Sequence, residues 1–262
     1  ERRFGWDCHG LPVEYEMEKE LNSSGKKQIE DYGISKFNES CRGIVLRYTS
    51  EWEKTVHRMG RWVDFQHDYK TMDTSYMESI WWVYKEMWDK ELIYEGYKVL
   101  PFCPRCSTPL SNFETNQGYR ETVDPAITVR FKLEDQPATY ILAWTTTPWT
   151  LPSNLALAVG KDITYIKVRD HDEIYIIAQE RIPAYYRKAE EYEIIETLKG
   201  SELVGLRYEP LLPYFASQSA QGAFRVIAAD FVSTEDGTGI VHIAPAFGED
   251  DFNVCRENGI PL

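Results

Sequence analysis

The spacing of apolar residues changes character near residue 96, and that change restricts the chain to folds with a helical part followed by a strand-rich one. Before it, Phe37, Cys41, Val45, Tyr48, Trp52 and Val56 recur every three or four positions. This predicts a helix over 35–59, with Ser35 as its cap and Gly60 just past its end. A second helix is predicted over 75–92, burying Met77, Ile80, Trp81, Tyr84, Trp88 and Leu92, and a weaker one over 13–21. After Gly96 come short strand candidates separated by turn residues: "AITVRFKL", "TYILAW", "LALAV", "ITYIKV", "EIYIIA", "FRVIAADF" and "GIVHIA". Small helices are expected at about 179–190 and 249–257. The expected fold class is α+β, with a helical segment over 1–95, a cysteine knuckle and linker over 96–125, and a mixed-sheet or barrel-like β domain over 126–262.

Charge narrows the possible partners. The chain has 42 acids against 29 bases, a net −13, which opposes a broad surface gripping a nucleic-acid backbone. It leaves open a protein that touches only the tip of one. No apolar run approaches the ~20 residues of a membrane span, and "ERRFGWDCHG" lacks the apolar core of a signal peptide. The five cysteines are too few and too scattered for a disulfide scaffold, so a reducing cytoplasm is expected. With no initiator Met and no terminal signal, the chain reads as a piece of something longer.

Four stretches could carry chemistry. In "GWDCHGLPVE" (5–14), glycines and a proline fix a loop that presents Asp7 and His9 before a helix, which is also what a plain helix start looks like. In "CPRC", Cys103 and Cys106 supply half of a tetrahedral zinc site whose partners would lie outside this chain; a redox pair or two reduced thiols are the alternatives. In "AWTTTPWTLPSN" (143–154), Thr145, Thr146, Thr147 and Thr150 put hydroxyls on stiff β-branched stems, with Asn154 bracing the loop. That suits either a hairpin loop or the wall of a polar pocket. In "GTGIVHIAPAFGEDDFNVC" (237–255), His242 lies on a strand and Glu249, Asp250 and Asp251 open a helix. Carboxylates there can simply serve the helix dipole, but a loop that turns back would aim His242 and Asp251 at one cavity. No residue advertises itself as a covalent nucleophile, so any hydrolysis would activate a water.

Together "GWDCHGLPVE", "TPLSNFE", "WTTTPWTLPSN" and "GTGIVHIAPAFGEDD" resemble, in order, the isoleucyl-tRNA synthetase family of class I aminoacyl-tRNA synthetases. Leucyl and valyl enzymes share the threonine-rich loop but look different at "GWDCHGLP". The resemblance implies that 1–95 is the edge of a Rossmann catalytic domain and that 126–262 is most of an inserted editing domain. The family's His-Ile-Gly-His and Lys-Met-Ser-Lys-Ser signatures for ATP are absent, so ATP is expected to serve the parent enzyme only and editing needs no cofactor. The implied reaction is hydrolysis of valine misattached to isoleucine tRNA. A methylene is worth only ~1–3 kcal/mol to a binding pocket, a limit for which isoleucyl enzymes are themselves the standard illustration. By motif, Thr145, Thr146, Thr147 and Thr150 would line the pocket around the ester and terminal ribose. Asn154 would support that loop, His242 would limit side-chain size, and Asp251 would pair with the α-ammonium. Asp7 matches the family's amino-acid-anchoring loop in the synthetic site. The implied partner is the aminoacylated 3′ end of isoleucine tRNA, gripped weakly by this piece alone, with valine released; a monomer and no membrane contact are expected. The alternatives are a non-catalytic tRNA-binding zinc ribbon and an inert fragment.

Overall fold

The computed structural model describes residues 2–47 and 49–262. The chain divides into two compact units, Glu1–Gln117 and Gly118–Leu262. Among the described residues no helix is long and apolar enough to cross a membrane. All five cysteines are free.

The first unit is mainly helical: α1 (Leu11–Glu20), α2 (Lys26–Tyr32), α3 (Ile34–Arg47), α4 (Thr49–Arg58) and α5 (Thr74–Asp89). A parallel pair, β1 (Arg3–Trp6) and β2 (Asp64–Lys70), accompanies them. Both strands are short, and the polar "DFQHDYK" of β2 has little of the alternation that advertises a strand. The helix expected over 35–59 is described as α3 and α4, and Tyr48 lies outside the described residues. Ser35 is not a cap. α3 begins one residue before it, and the carbonyl of Gly33 accepts the amide of Phe37. α5 forms where the periodicity places it, but its stripe is not buried: Trp81 is 70% exposed and Trp88 58%. Periodicity identifies an apolar face; it does not supply what covers it.

The unit closes with a small hairpin, β3 (Phe102–Cys103) and β4 (Thr108–Pro109), and the short α6 (Asn112–Thr115). Cys103 and Cys106 occupy its knuckle. The amide of Cys106 donates to Cys103 Sγ at 3.4 Å, and Arg105 pairs with the buried Glu18 of α1.

The second unit is β-rich, with β5 (Ile127–Lys132), β6 (Thr139–Thr145), β7 (Ala156–Val159), β8 (Thr164–Asp170), β9 (Glu173–Ala178), β10 (Glu193–Lys199), β11 (Arg225–Ala228) and β12 (Ile240–Ile243). Helices α7 (Ile182–Tyr185), α8 (Gly200–Leu203) and α9 (Glu249–Glu257) interrupt it. The sheet runs β10-β8-β9-β6-β12-β7-β11, with β5 also on β6. Since β5 pairs along 140–145 of β6, β9 and β12 share its other edge, at residues 139–141 and 144. Isolated bridges Leu133↔Tyr208 and Arg207↔Arg225 stitch β5 to β11. The ring of pairings β6, β5, residues 207–208, β11, β7 and β12 is therefore closed, a barrel with β9-β8-β10 as a side sheet. β10 had no apolar alternation to reveal it, because as an edge strand nearly all its residues are exposed.

The barrel is filled by fully buried side chains such as Phe131, Ile141, Leu157, Tyr208, Val226 and Ile243. Full burial of such an apolar side chain contributes about 1.5–3 kcal/mol. Gly237 enters β12 with φ +64, and a Cβ on it would come within 2.8 Å of the Trp144 indole, so both backbone hand and space require glycine.

Topology settles the nature of the threonine stretch. β6 is parallel to β12 and β12 antiparallel to β7. The β6–β7 connection is thus not a hairpin but a crossover past the C-terminal end of β12.

Candidate active site

The crossover is built to be rigid. Thr145 ends β6, and Pro148–Ser153 form a 3-10 helix with Pro148 in its first turn, where a fixed φ and a missing N–H cost nothing. The amide of Thr147 donates to Thr145 Oγ1 at 3.0 Å, and Thr150 Oγ1 donates to the Thr147 carbonyl at 2.8 Å. Thr145 and Thr150 are buried, whereas Thr146 and Thr147 are exposed at the bend. Thr147 Oγ1 lies 3.2 Å from Thr145 Oγ1 and 3.5 Å from Thr150 Oγ1.

His242 fastens this turn to β12. Its Nε2 lies 2.9 Å from Thr150 Oγ1 and its Nδ1 lies 2.8 Å from Asn154 Nδ2. Asn154 Nδ2 also donates to the carbonyl of Ala156 at 2.9 Å, and Asn154 Oδ1 accepts from the Tyr208 hydroxyl at 2.7 Å. An amide nitrogen only donates, so Nδ1 of His242 is an acceptor and the proton of the neutral ring sits on Nε2. Both ring nitrogens are therefore committed, and His242 has no lone pair left to take a proton from a ligand.

Asp251 stands at the same end of the barrel. Val241 is paired with Trp144 in parallel register, so β6 runs into the threonine turn where β12 runs into Ala244 and Pro245. Asp251, in the first turn of α9, reaches back so that its Oδ2 accepts the Ala244 amide at 2.8 Å. Burial pushes its carboxyl up, and among the described residues no basic side chain pairs with it. Asp251 has no hydrogen bond to the threonines. Thr145, Thr147, Thr150, Asn154 and His242 thus form one bonded cluster, Asp251 belongs to the adjoining strand end, and Thr146 lies at the exposed bend.

Cys103 and Cys106 lie in the other unit, and among the described residues no group of three or more His, Cys, Asp or Glu could hold a metal. Asp7 is also in that unit, on the loop before α1. Tyr208 went unnoticed in the sequence. It lies 54 residues from Asn154, in "GLRYEP", with no pattern to single it out.

A family model described as tRNA synthetases class I (I, L, M and V) matches residues 1–236. The chain belongs to that family. It is 57% identical over 294 residues to the isoleucine–tRNA ligase of Treponema denticola, covering 100% of this chain and 27% of that protein. It is 56% identical over 264 residues to that of Bdellovibrio bacteriovorus, covering 100% of this chain and 25% of that protein. The chain therefore spans about a quarter of the length of the curated relatives it matches. The solved P. knowlesi cytosolic leucyl-tRNA synthetase editing domain is 14% identical with a TM-score of 0.40, over 51% of this chain and 64% of that chain.

In this class I synthetase chain the buried imidazole carries a measurable electrostatic signature. Burial lowers the pKa of His242 from 6.5 to about 4. The unfolded chain then takes up a proton that the folded barrel refuses, so the stability owed to a neutral ring is complete above pH 6.5 and is lost as pH falls towards 4. The loss amounts to about 3 kcal/mol. Urea unfolding of the wild type and His242→Gln from pH 7.5 to 4 should show a difference in stability that shrinks by that order on acidification. A difference independent of pH would mean that the ring titrates normally.

Proposed function

We propose that the barrel is a hydrolytic editing site that removes valine from misacylated isoleucine tRNA, within a cytoplasmic isoleucine–tRNA ligase. The relatives named above are isoleucine–tRNA ligases, which makes the aminoacylated 3′ end of isoleucine tRNA the expected substrate. The observation that carries the reading is Asp251. A half-buried carboxylate with no basic partner among the described residues, at the barrel end that bears the threonine turn, is a receptor for a cation. The α-ammonium of an aminoacyl ester is such a cation, and a charge-assisted hydrogen bond to it is among the stronger ones.

With the ammonium on Asp251, the ester is presented to the threonine turn. Water adds to the ester carbonyl, the bond from that carbon to the ribose oxygen breaks, and free valine and tRNA leave. Donors on the turn stabilise the charge that develops on the carbonyl oxygen. The Thr147 hydroxyl is the exposed member of the cluster. His242 contributes a rigid wall rather than a base, since both of its nitrogens are occupied. A wall that does not give way discriminates by size, admitting valine and refusing the longer isoleucine.

Deacylation by the full chain of the parent enzyme checks this. Valyl-tRNA should be hydrolysed and isoleucyl-tRNA spared; equal rates on both would defeat the size-exclusion reading. Asp251→Asn should raise KM for valyl-tRNA at least tenfold, the scale set by a lost charge-assisted bond. An unaltered KM would remove the ammonium role.

The Cys103–Cys106 knuckle is proposed as half of a structural zinc site completed by ligands elsewhere in the parent chain. Cys103 Sγ accepting the Cys106 amide is the arrangement a thiolate ligand favours. The metal would brace the knuckle and take no part in hydrolysis. Metal analysis of the parent chain should find zinc that a Cys103→Ser variant lacks; zinc retained in the variant would dismiss the assignment.

A further inference from the structure

We propose that Tyr208 is a positioning residue for the editing reaction: its hydroxyl, together with the Ala156 and Ile243 carbonyls, holds the Asn154 amide in the orientation that sets the proton direction of the buried Asn154–His242–Thr150 chain. The inference rests on the editing reading and adds to it a residue outside the threonine, histidine and aspartate motifs.

Tyr208 is fully buried at the seam that closes the barrel. Its amide donates to the carbonyl of Phe224 at 3.1 Å, and it bridges to Leu133. Phe131 and Phe224 hold its ring edge-on, with centroids 5.2 and 6.0 Å away. Inside this apolar cage the phenol stays protonated, and its hydroxyl donates to Asn154 Oδ1 at 2.7 Å.

The rest follows bond by bond. With Oδ1 turned to the phenol, Nδ2 faces the Ala156 carbonyl and His242 Nδ1 and donates to both. His242 then keeps its proton on Nε2 and gives it to Thr150 Oγ1, and Thr150 gives its own to the Thr147 carbonyl. Every hydrogen in the chain points from Tyr208 towards the turn. Thr150 therefore has its hydroxyl hydrogen committed, and Thr147, the exposed member of the cluster, presents its hydroxyl to the ligand. Run backwards, the chain would place the ring proton on Nδ1, turn the Thr150 hydroxyl towards Nε2 and leave the Thr147 carbonyl with the Thr150 amide alone. The Ala156 and Ile243 carbonyls facing Asn154 Nδ2 oppose that reversal, so removing the phenolic hydroxyl should loosen the chain rather than invert it. A packing residue would exert no such control.

The test uses Tyr208→Phe in the full chain, which deletes one oxygen and leaves the ring. Long-range proton–nitrogen correlation spectra of nitrogen-15-labelled histidine report the tautomer directly. In the wild type His242 should be a single Nε2–H species. In Y208F a second tautomer should appear, and kcat for valyl-tRNA hydrolysis should fall about tenfold with KM little changed. Phe224→Leu, which loosens the same ring's packing without touching its hydroxyl, should keep the single tautomer. An Nδ1–H ring in the wild type, or Y208F with one unaltered tautomer and unaltered kcat, overturns the proposal. If Y208F does not fold, Asn154→Asp interrogates the next link. An ionised carboxylate offers Nδ1 no hydrogen, so the ring gains a proton there, as the Nδ1–H tautomer or the imidazolium, and a neutral Nε2–H ring retained beside it would equally overturn the assignment. Absence of hydrolysis in the wild type would refute the editing reading alone, since the tautomer measurements do not depend on it.

Discussion

A buried imidazole held at both nitrogens joins the two parts of the chain that make the site. The crossover from β6 to β7 has to pass the end of β12, and nothing in strand pairing alone would fix its height or tilt there. His242 supplies that constraint, with Thr150 on one nitrogen and Asn154 on the other, 92 and 88 residues away in sequence. Leaving either partner unmatched in this environment would cost about 1–3 kcal/mol, so the turn, the strand and the ring favour a single arrangement. The rigidity of the threonine turn is a consequence of that satisfied network more than of any one threonine.

The same network separates two roles that histidine often combines. A ring at 7% exposure with its pKa lowered to about 4 is neutral at neutral pH, so it supplies no imidazolium as an acid, and with Nδ1 already accepting a hydrogen bond it is a poor base. Its value to the site is shape. Charge is left to Asp251, which is half-buried without a basic partner among the described residues and sits where β12 gives way to α9. The net charge of −13 is compatible with the proposed site, which would receive only the end of a nucleic acid.

Much of this was legible before the structure. Short apolar runs bounded by turn residues revealed β5 to β9, β11 and β12, because each contributes side chains to the barrel or side-sheet core. The threonines, Asn154, His242 and Asp251 were legible as residue types and as a family pattern. The closed ring was not, since it depends on bridges at Tyr208 and Arg207 that no periodicity announces. Nor was the position of Tyr208, which becomes meaningful only when the barrel brings it to Asn154. The α5 stripe shows the opposite failure: the apolar spacing was real, and its burial did not follow.

In the proposed site the threonine turn, His242 and Asp251 surround one aminoacyl end. The most direct measurement is a crystal structure of the full chain soaked with a non-hydrolysable valyl-adenosine analogue. The analogue's ammonium is expected on the Asp251 carboxylate, its valyl side chain against the His242 ring and its ester surrogate within hydrogen-bonding reach of Thr147. An analogue bound elsewhere on the barrel, with Asp251 still facing only the Ala244 amide, would contradict that arrangement.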